Sequence, residues 1–368
     1  MWKSILPHKL RKLDWFIILI VLLINGIGLL SLYSQHQTGE HFSFFERQAL
    51  FTLFGIILMF LFTFFDYRVF RENSYLVFFL YIVCLISLAG IFIFAPQIRG
   101  VRSWYKIGPF SLDPTEFSKV ILIILFAKYF SQRHVEMYRF YHIIFSGLYL
   151  FFPVILVYLQ PDLGSVLIFI LIWLGILITS GIRIKHFLIL CFVGILLCVF
   201  AWHFVLKGYQ KERIISFLFP EYKHLETGWS QRQAKIALGN GGLFGKGFGK
   251  GSQVHHGFLP EPHTDFIFAA IGEEFGFITL FMLLSLYLLL LWRISKIAFQ
   301  AKDNFARLFA AGVGFWLFFQ LLINVGSNIG LLPIIGLPLP FVSYGGSALL
   351  ACYISIGLLE SIKSRSSF

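Results

Sequence analysis

The sequence predicts an all-α polytopic membrane protein, with about ten transmembrane helices and a large extracytoplasmic loop between helices 7 and 8. Three observations carry this reading. Hydrophobic residues make up 58% of the 368 and charged residues only 13%, about half the charged share of a soluble domain. Mean hydropathy is +0.81, and 46 residues are phenylalanine. Apolar runs near 20 residues, the length a helix needs to cross a bilayer, recur along the whole chain. A soluble enzyme built around one large core is excluded. The net charge of +12 is a feature of nucleic-acid binders, but its placement along this chain is that of a membrane protein.

The predicted spans are 14–33, 47–65, 75–95, 115–131, 141–159, 163–181, 186–206, 264–292, 306–328 and 344–362. The fourth is short, and the eighth is long enough to tilt or to project. Lys3, Lys9, Arg11 and Lys12 precede the first span, and Arg68 and Arg71 follow the second. Arg133 and Arg139 follow the fourth, Arg183 and Lys185 the sixth, Arg293, Lys296, Lys302 and Arg307 the eighth, and Lys363 and Arg365 the tenth. These are alternate loops, so the positive-inside rule makes their face cytoplasmic and puts both termini inside. The loops at 34–46, 96–113, 207–263 and 329–343 then lie outside. The long 207–263 loop is also basic, but long loops are exempt from the rule. Residues 1–368 read as a single membrane domain with 207–263 as a loop within it. The first span follows basic residues as in a signal peptide. It is too long for one and lacks a small-x-small cleavage site, so it is read as uncleaved. Cys84, Cys191, Cys198 and Cys352 sit in apolar runs and read as small hydrophobes.

The first outer loop of interest runs from Arg99 through Arg102 and Trp104 to Lys119. Asp113, Pro114 and Glu116 fit the N-cap, N1 and N3 positions of the fourth span. Glu116 is thus a cap or a site residue. Lys119, one turn further, either snorkels outward, pairs with Glu116 at i,i+3, or meets an anionic ligand. Arg99, Arg102, Trp104 and Lys119 together make a basic, aromatic-flanked patch suited to phosphates.

The 207–263 loop carries two features. Ser230 and Gln233 fit a capping box and Gly239 a stop, which predicts a short amphipathic helix on the membrane surface. Seven glycines then fall within residues 239–251, interleaved with Lys246 and Lys250. They match neither a P-loop nor a dinucleotide fingerprint. They form either a mobile loop or a backbone that closes over a phosphate. After them comes Glu261-Pro262-His263-Thr264-Asp265, where a carboxylate stands at the entry to the eighth span. An ionisable residue at a bilayer edge is costly and marks a candidate site. Ala269, Gly272 and Gly276 continue the Asp265 face of that helix, either for close packing or as an acyl-chain groove. Glu273 and Glu274 lie deeper and are read as paired with a neighbouring helix. The spacing of His255, His256, His263, Glu261 and Asp265 matches no zinc motif. A divalent cation, Mg2+ or Mn2+, bridging Asp265 to a pyrophosphate is one open alternative. Two further outer features are the turn at 160–164 and the stretch 328–347. Pro333, Pro338 and Pro340 forbid a regular helix in that stretch. It reads either as a wall of the site or as a structural re-entrant turn.

At these residues the sequence resembles the SEDS family, the shape, elongation, division and sporulation proteins. The matching pieces are Pro-Thr-Glu-Phe-Ser-Lys at 114–119, the turn at 160–164, residues 259–276, and 324–347 ending in Ser-Tyr-Gly-Gly-Ser. They stand in family order across most of the chain. Residues 336–341 look more like the elongation type, RodA, than the division type, FtsW. The resemblance implies a ten-span peptidoglycan glycosyltransferase of the bacterial cytoplasmic membrane. It would polymerise lipid II on the outer face beside a class B penicillin-binding protein, a transpeptidase, within the elongation machinery. It also implies Asp265 as the catalytic aspartate and Lys119 as an important lysine. The chemistry agrees, since a sugar hydroxyl attacking an anomeric carbon needs one general base and a leaving pyrophosphate needs cations. The substrate-binding candidates are Lys119, Arg102, Glu116, Arg99, Trp104, His263, Thr264, Glu261, Lys246 and Ser343. A lipid II flippase, a division-type polymerase and a scaffold for cell-wall synthases are the alternatives.

Overall fold

The computed structural model describes residues 12–35, 44–96, 103–108, 110–133, 140–219 and 226–366. In chain order the elements begin with α1 (Trp15–Ser34), α2 (Phe44–Phe64), the short α3 (Arg68–Glu72) and α4 (Ser74–Phe94). A hairpin of β1 (Tyr105–Ile107) and β2 (Phe110–Leu112) follows, pairing Tyr105 with Leu112. Next come α5 (Pro114–Gln132), α6 (Tyr141–Leu159), α7 (Leu163–Thr179) and α8 (Ile184–Phe200), the last extended by a π-turn over Ala201–Val205. The long loop holds α9 (Gly208–Leu218), α10 (Glu226–Gly241) and α11 (Ser252–His255). The chain closes with α12 (Ile267–Gln300), α13 (Asn304–Ile329) and α14 (Gly346–Ser366). The protein is an all-α polytopic membrane protein. Among the described residues eight helices are long and apolar enough to cross a membrane. The helix α7 is as apolar but has 17 residues, and α5 carries Glu116, Lys119 and Lys128.

α13 is the central post, packed by α12, α7 and α5, while α14 lies along α2 and α1 along α12. Many helices bury a seam of polar or small residues and turn large apolar side chains outward, where lipid replaces water. In α1, Asn25, Gly28, Ser31 and Ser34 are buried, whereas Leu19, Leu23 and Leu30 are about half exposed. That inversion is expected where lipid tails are as apolar as leucine and polar groups must find partners inside.

The most demanding backbone is the non-helical strap at 330–345, which runs between helices. A carbonyl at membrane depth has no water to bond, and a series of side chains from other elements supplies the donors. Asn324 Nδ2 donates to Leu337 O at 2.8 Å and Gln320 Nε2 to Pro338 O at 2.8 Å. The Tyr287 hydroxyl donates to Pro340 O. Asn25 Nδ2 donates to Phe341 O at 2.9 Å, and Gln48 Nε2 to Ser343 O at 3.1 Å. Four helices thus hold one strap. It is a structural turn and, as shown below, also a wall of a cavity.

Two expectations for the long loop need correction. The amphipathic helix does not begin at Ser230 or stop at Gly239, since α10 runs from Glu226 to Gly241. It docks on α12 and α13 with Ala234 and Ala237 fully buried. The glycines do not make a mobile loop. They let residues 241–247 thread a break in α12 at Gly276, whose φ of 79° and ψ of 179° are non-helical. Lys246 N and Gly247 N donate to the carbonyls of Glu273 and Glu274, while Phe277 N and Ile278 N donate to Gly242 O and Leu243 O. The hydrogen bonds lost at the break are remade with the loop. A Cβ on Gly276 would stand 2.3 Å from Gly245 N, so the Ala269–Gly272–Gly276 face serves close packing and not an acyl chain.

Replacing Gln320 by leucine strands two buried groups, the Trp316 indole N–H, which it accepts at 2.6 Å, and Pro338 O. An unsatisfied buried polar group costs on the order of 1–3 kcal/mol. Gln320→Leu should therefore lower the unfolding midpoint in detergent by several degrees. An unchanged midpoint would show that the strap does not depend on these bonds.

Candidate active site

Four helix N-termini meet at one end of the bundle around a cavity of about 560 Å³. They belong to α5, α7, α12 and α14. Asp113 caps α5 through Thr115 N at 2.9 Å, and Asp162 caps α7 through Ser165 N at 3.0 Å. Gly345, Gly346, Ser347 and Ala348 bring the start of α14 to the wall. The first amides of a helix have no intrahelical acceptor and carry partial positive charge, so this wall suits an anion.

Asp265 lies on the floor, just ahead of α12. Its backbone is clamped from three sides. Asn328 Nδ2 and Asn324 Nδ2 donate to Asp265 O at 2.9 and 3.2 Å. The Ser343 hydroxyl donates to Thr264 O at 2.6 Å, and Tyr344 N to His263 O at 2.8 Å. The side chain is not a cap, since α12 has Phe266 at its N-cap with no side-chain bond. Among the described residues nothing donates a hydrogen bond to the Asp265 carboxylate, which faces Gly336 of the strap and the open cavity. A rigid backbone with a free carboxylate is what a proton acceptor requires.

The lining is acidic. Asp113, Glu116, Asp162, Glu261 and Asp265 face the cavity, with Arg213 of α9 as the one basic side chain among the described lining residues. Burial, with the Glu261 charge beside it, pushes the Asp265 carboxyl up to about 6, and Arg213 pulls against that shift. Burial and the charges of Glu116 and Asp162 push Asp113 up to about 7, against the Thr115 N–H. Asp265 is therefore mostly ionised at neutral pH yet basic enough to take a proton.

The sequence-derived residues divide into three groups. Asp265, Glu116, Trp104, Thr264 and Glu261 line the cavity together. Lys119, His263, Ser343 and Lys246 are not among its lining residues. Lys119 is fully buried and donates to Glu116 Oε1 at 2.7 Å, with its Nζ 5.7 Å from the Trp316 ring. His263 stacks on Phe44 at 4.1 Å and meets Glu261 at 3.2 Å. The Ser343 hydroxyl donates to Thr264 O and accepts from Leu339 N, which makes it part of the clamp. Lys246 lies 3.3 Å from Glu273, which also accepts from Ser252 and Gln253 N at the start of α11. Arg99 and Arg102 lie outside the described residues. Sequence reasoning missed Arg213, Asp162 and Asp113 as cavity residues. In the sequence Arg213 is one cation in a polar stretch of the long loop, and nothing local ties it to Asp265. No three His, Cys, Asp or Glu groups converge into a metal site among the described residues.

The sequence profile FTSW_RODA_SPOVE, described as "Cell cycle protein", matches residues 11–367. The chain is 35% identical over 367 residues to Stage V sporulation protein E of Bacillus subtilis (strain 168), covering 96% of this chain and 98% of that protein. It is 34% identical over 358 residues to the peptidoglycan glycosyltransferase MrdB of Escherichia coli (strain K12), covering 96% and 94%. A solved chain described as "Structural coordination of polymerization and crosslinking by a peptidoglycan synthase complex" superposes with a TM-score of 0.82 at 29% identity, covering 96% of this chain and 98% of that one. The crystal structure of the rod shape determining protein RodA of Thermus thermophilus gives 0.69 at 28% identity, covering 95% and 96%.

Two outcomes follow from the geometry. A carboxyl raised from 3.8 to about 6 destabilises the folded state once the pH is high enough to ionise it, and the penalty vanishes where both states are protonated. Asp265→Asn should therefore melt higher than the wild type at pH 8 and level with it near pH 4. Equal midpoints at both pH values would contradict this. Lys119→Met leaves Glu116 buried without its counter-charge, which typically costs about 3–5 kcal/mol. The variant should unfold readily, and adding Glu116→Gln should restore part of the loss. A stable single variant would show that the pair is not needed for folding.

Proposed function

The chain belongs to the family of FtsW, RodA and SpoVE cell cycle proteins, and from that premise we propose that it is a peptidoglycan glycosyltransferase that polymerises lipid II during cell elongation, with Asp265 as its general base. The observation that carries the proposal is the Asp265 carboxylate, clamped through its backbone and free at its oxygens, in a cavity ringed by helix N-termini.

In the proposed reaction a sugar 4-hydroxyl of the acceptor lies against Asp265. Its proton passes to the carboxylate as its oxygen bonds to the anomeric carbon of the donor. The bond from that carbon to the pyrophosphate breaks, and undecaprenyl pyrophosphate leaves. One displacement without a covalent enzyme intermediate inverts the configuration. Arg213 and the first amides of α14 balance charge on the leaving group. Arg99 and Arg102 are further candidates from the sequence. Lys119 acts at one remove, by holding Glu116 in the wall. Trp104 offers an apolar face at the mouth.

The outer location of the cavity is supported by the basic residues. Arg133, Arg307 and Lys363 sit in or next to the terminal turns of α5, α13 and α14 remote from the cavity, and by the positive-inside rule that end is cytoplasmic. The elongation role rests on the likeness of residues 336–341 to the elongation type. A class B penicillin-binding protein as partner is supported by the likeness to the chain of a peptidoglycan synthase complex.

The test is polymer formation by the purified protein from lipid II, with products resolved by gel. Asp265→Asn should lower the rate by at least about 10²–10⁴-fold, the usual contribution of a general base, while the protein stays folded. Arg213→Gln should lower kcat/KM about tenfold or more, as expected for losing a charge-assisted contact, with the base intact. Polymerisation by Asp265→Asn at near wild-type rate would remove the aspartate from the chemistry.

A further inference from the structure

We propose that a groove at the end of the bundle remote from Asp265 binds an anionic phospholipid, with Arg307 on its phosphate and one acyl chain between α12 and α13. The groove has a volume of about 300 Å³, and most of its lining residues are apolar. Ile294 and Ala298 of α12 form one side, Phe315 of α13 the other, and Ala310, Ala311 and Gly314 the floor. Phe299, exposed at 89%, and Phe318, exposed at 40%, mark its opening toward lipid. A narrow apolar channel of this size suits a single chain.

Arg307 is the one charged residue in the lining. Its expected partner is Asp303, four residues earlier on the same helix, where such pairs ordinarily form. That carboxylate is engaged elsewhere. Asp303 Oδ1 caps α13 through Ala306 N at 2.9 Å, and Oδ2 accepts from the Tyr67 hydroxyl at 2.8 Å and lies 3.5 Å from Arg71. Arg307 has no ion pair among the described residues, and its Nε is buried with no acceptor. Two other arginines at this end do have a carboxylate partner, Arg293 with Asp14 and Arg365 with Asp66, although the Nε of Arg293 also lacks an acceptor. A guanidinium left unmatched beside an apolar groove is costly in a membrane. The anion available at that depth is a lipid phosphate, which a guanidinium meets with two parallel hydrogen bonds. Basic pockets between transmembrane helices commonly hold such headgroups. Gly314 keeps the floor low. A Cβ there would already stand 3.4 Å from Ile294 Cγ2.

The experiment is native mass spectrometry of the full chain in detergent micelles, titrated separately with phosphatidylglycerol and phosphatidylethanolamine. The wild type should retain phosphatidylglycerol under activation that strips phosphatidylethanolamine. Arg307→Gln should cut that retention about tenfold. Arg307→Lys, which keeps the charge, should restore most of it and show that the glutamine variant has not merely misfolded. Gly314→Leu, which fills the groove and keeps Arg307, should also abolish retention. Lys296→Gln, whose amine sits over Trp292 at 5.7 Å, should change nothing. Equal retention of the two lipids by the wild type would overturn the proposal. So would loss in Gly314→Leu without loss in Arg307→Gln, which would give the groove to an uncharged chain or a partner's helix.

Discussion

A non-helical backbone at membrane depth must have its carbonyls satisfied by the protein itself, and the strap at 330–345 is where this chain meets that demand. Asn324, Gln320, Tyr287, Asn25 and Gln48 each donate to a different strap carbonyl. They come from α13, α12, α1 and α2, so the strap locks four helices to one another. The same asparagines of α13 hold the Asp265 carbonyl. Ser343 and Tyr344, at the end of the strap, hold Thr264 and His263. The position of the candidate catalytic carboxylate is thus set by the same bonds that make the irregular backbone tolerable. A polar network of this kind is worth most when every member is satisfied.

The clamp grips the backbone and leaves the side chain free. Asp265 is desolvated and crowded by Glu261, which raises its proton affinity, while Arg213 keeps the rise modest. The other carboxylates of the cavity are engaged. Asp113 and Asp162 cap helices and Glu116 neutralises Lys119. Of the five, Asp265 is the one whose carboxylate oxygens accept no hydrogen bond or ion pair among the described residues. One group with a free lone pair, among others already committed, is a division of roles that proton transfer can use.

Much of this was legible in the sequence. The helices stand where apolar runs of sufficient length occur, because lipid exposure forces that composition. Asp265 was legible because a carboxylate next to a span is rarely neutral in meaning. The capping of α5 by Asp113 was legible too, since a cap is local in sequence. What was not legible depends on contacts between distant elements. Nothing near Arg213 reveals that α9 swings it over Asp265. The glycines at 239–251 suggest mobility when read alone, and only the break at Gly276 gives them a packing role. Lys246 reads as a cation beside a phosphate and Lys119 as a snorkelling residue, a partner of Glu116 or a ligand for an anion, and each lies against a buried glutamate, Glu273 and Glu116. For Lys119 the i,i+3 spacing offered that pairing, and burial decided it.

The most direct measurement of the central claim is the pH dependence of kcat/KM for lipid II polymerisation by the wild-type protein. With Asp265 as a base titrating near 6, the rate should be level above about pH 7 and fall toward tenfold per pH unit below about pH 5.5. A profile without an acidic limb between pH 5 and 7 would mean that the proton goes to some other group, and that the clamped aspartate is not the base.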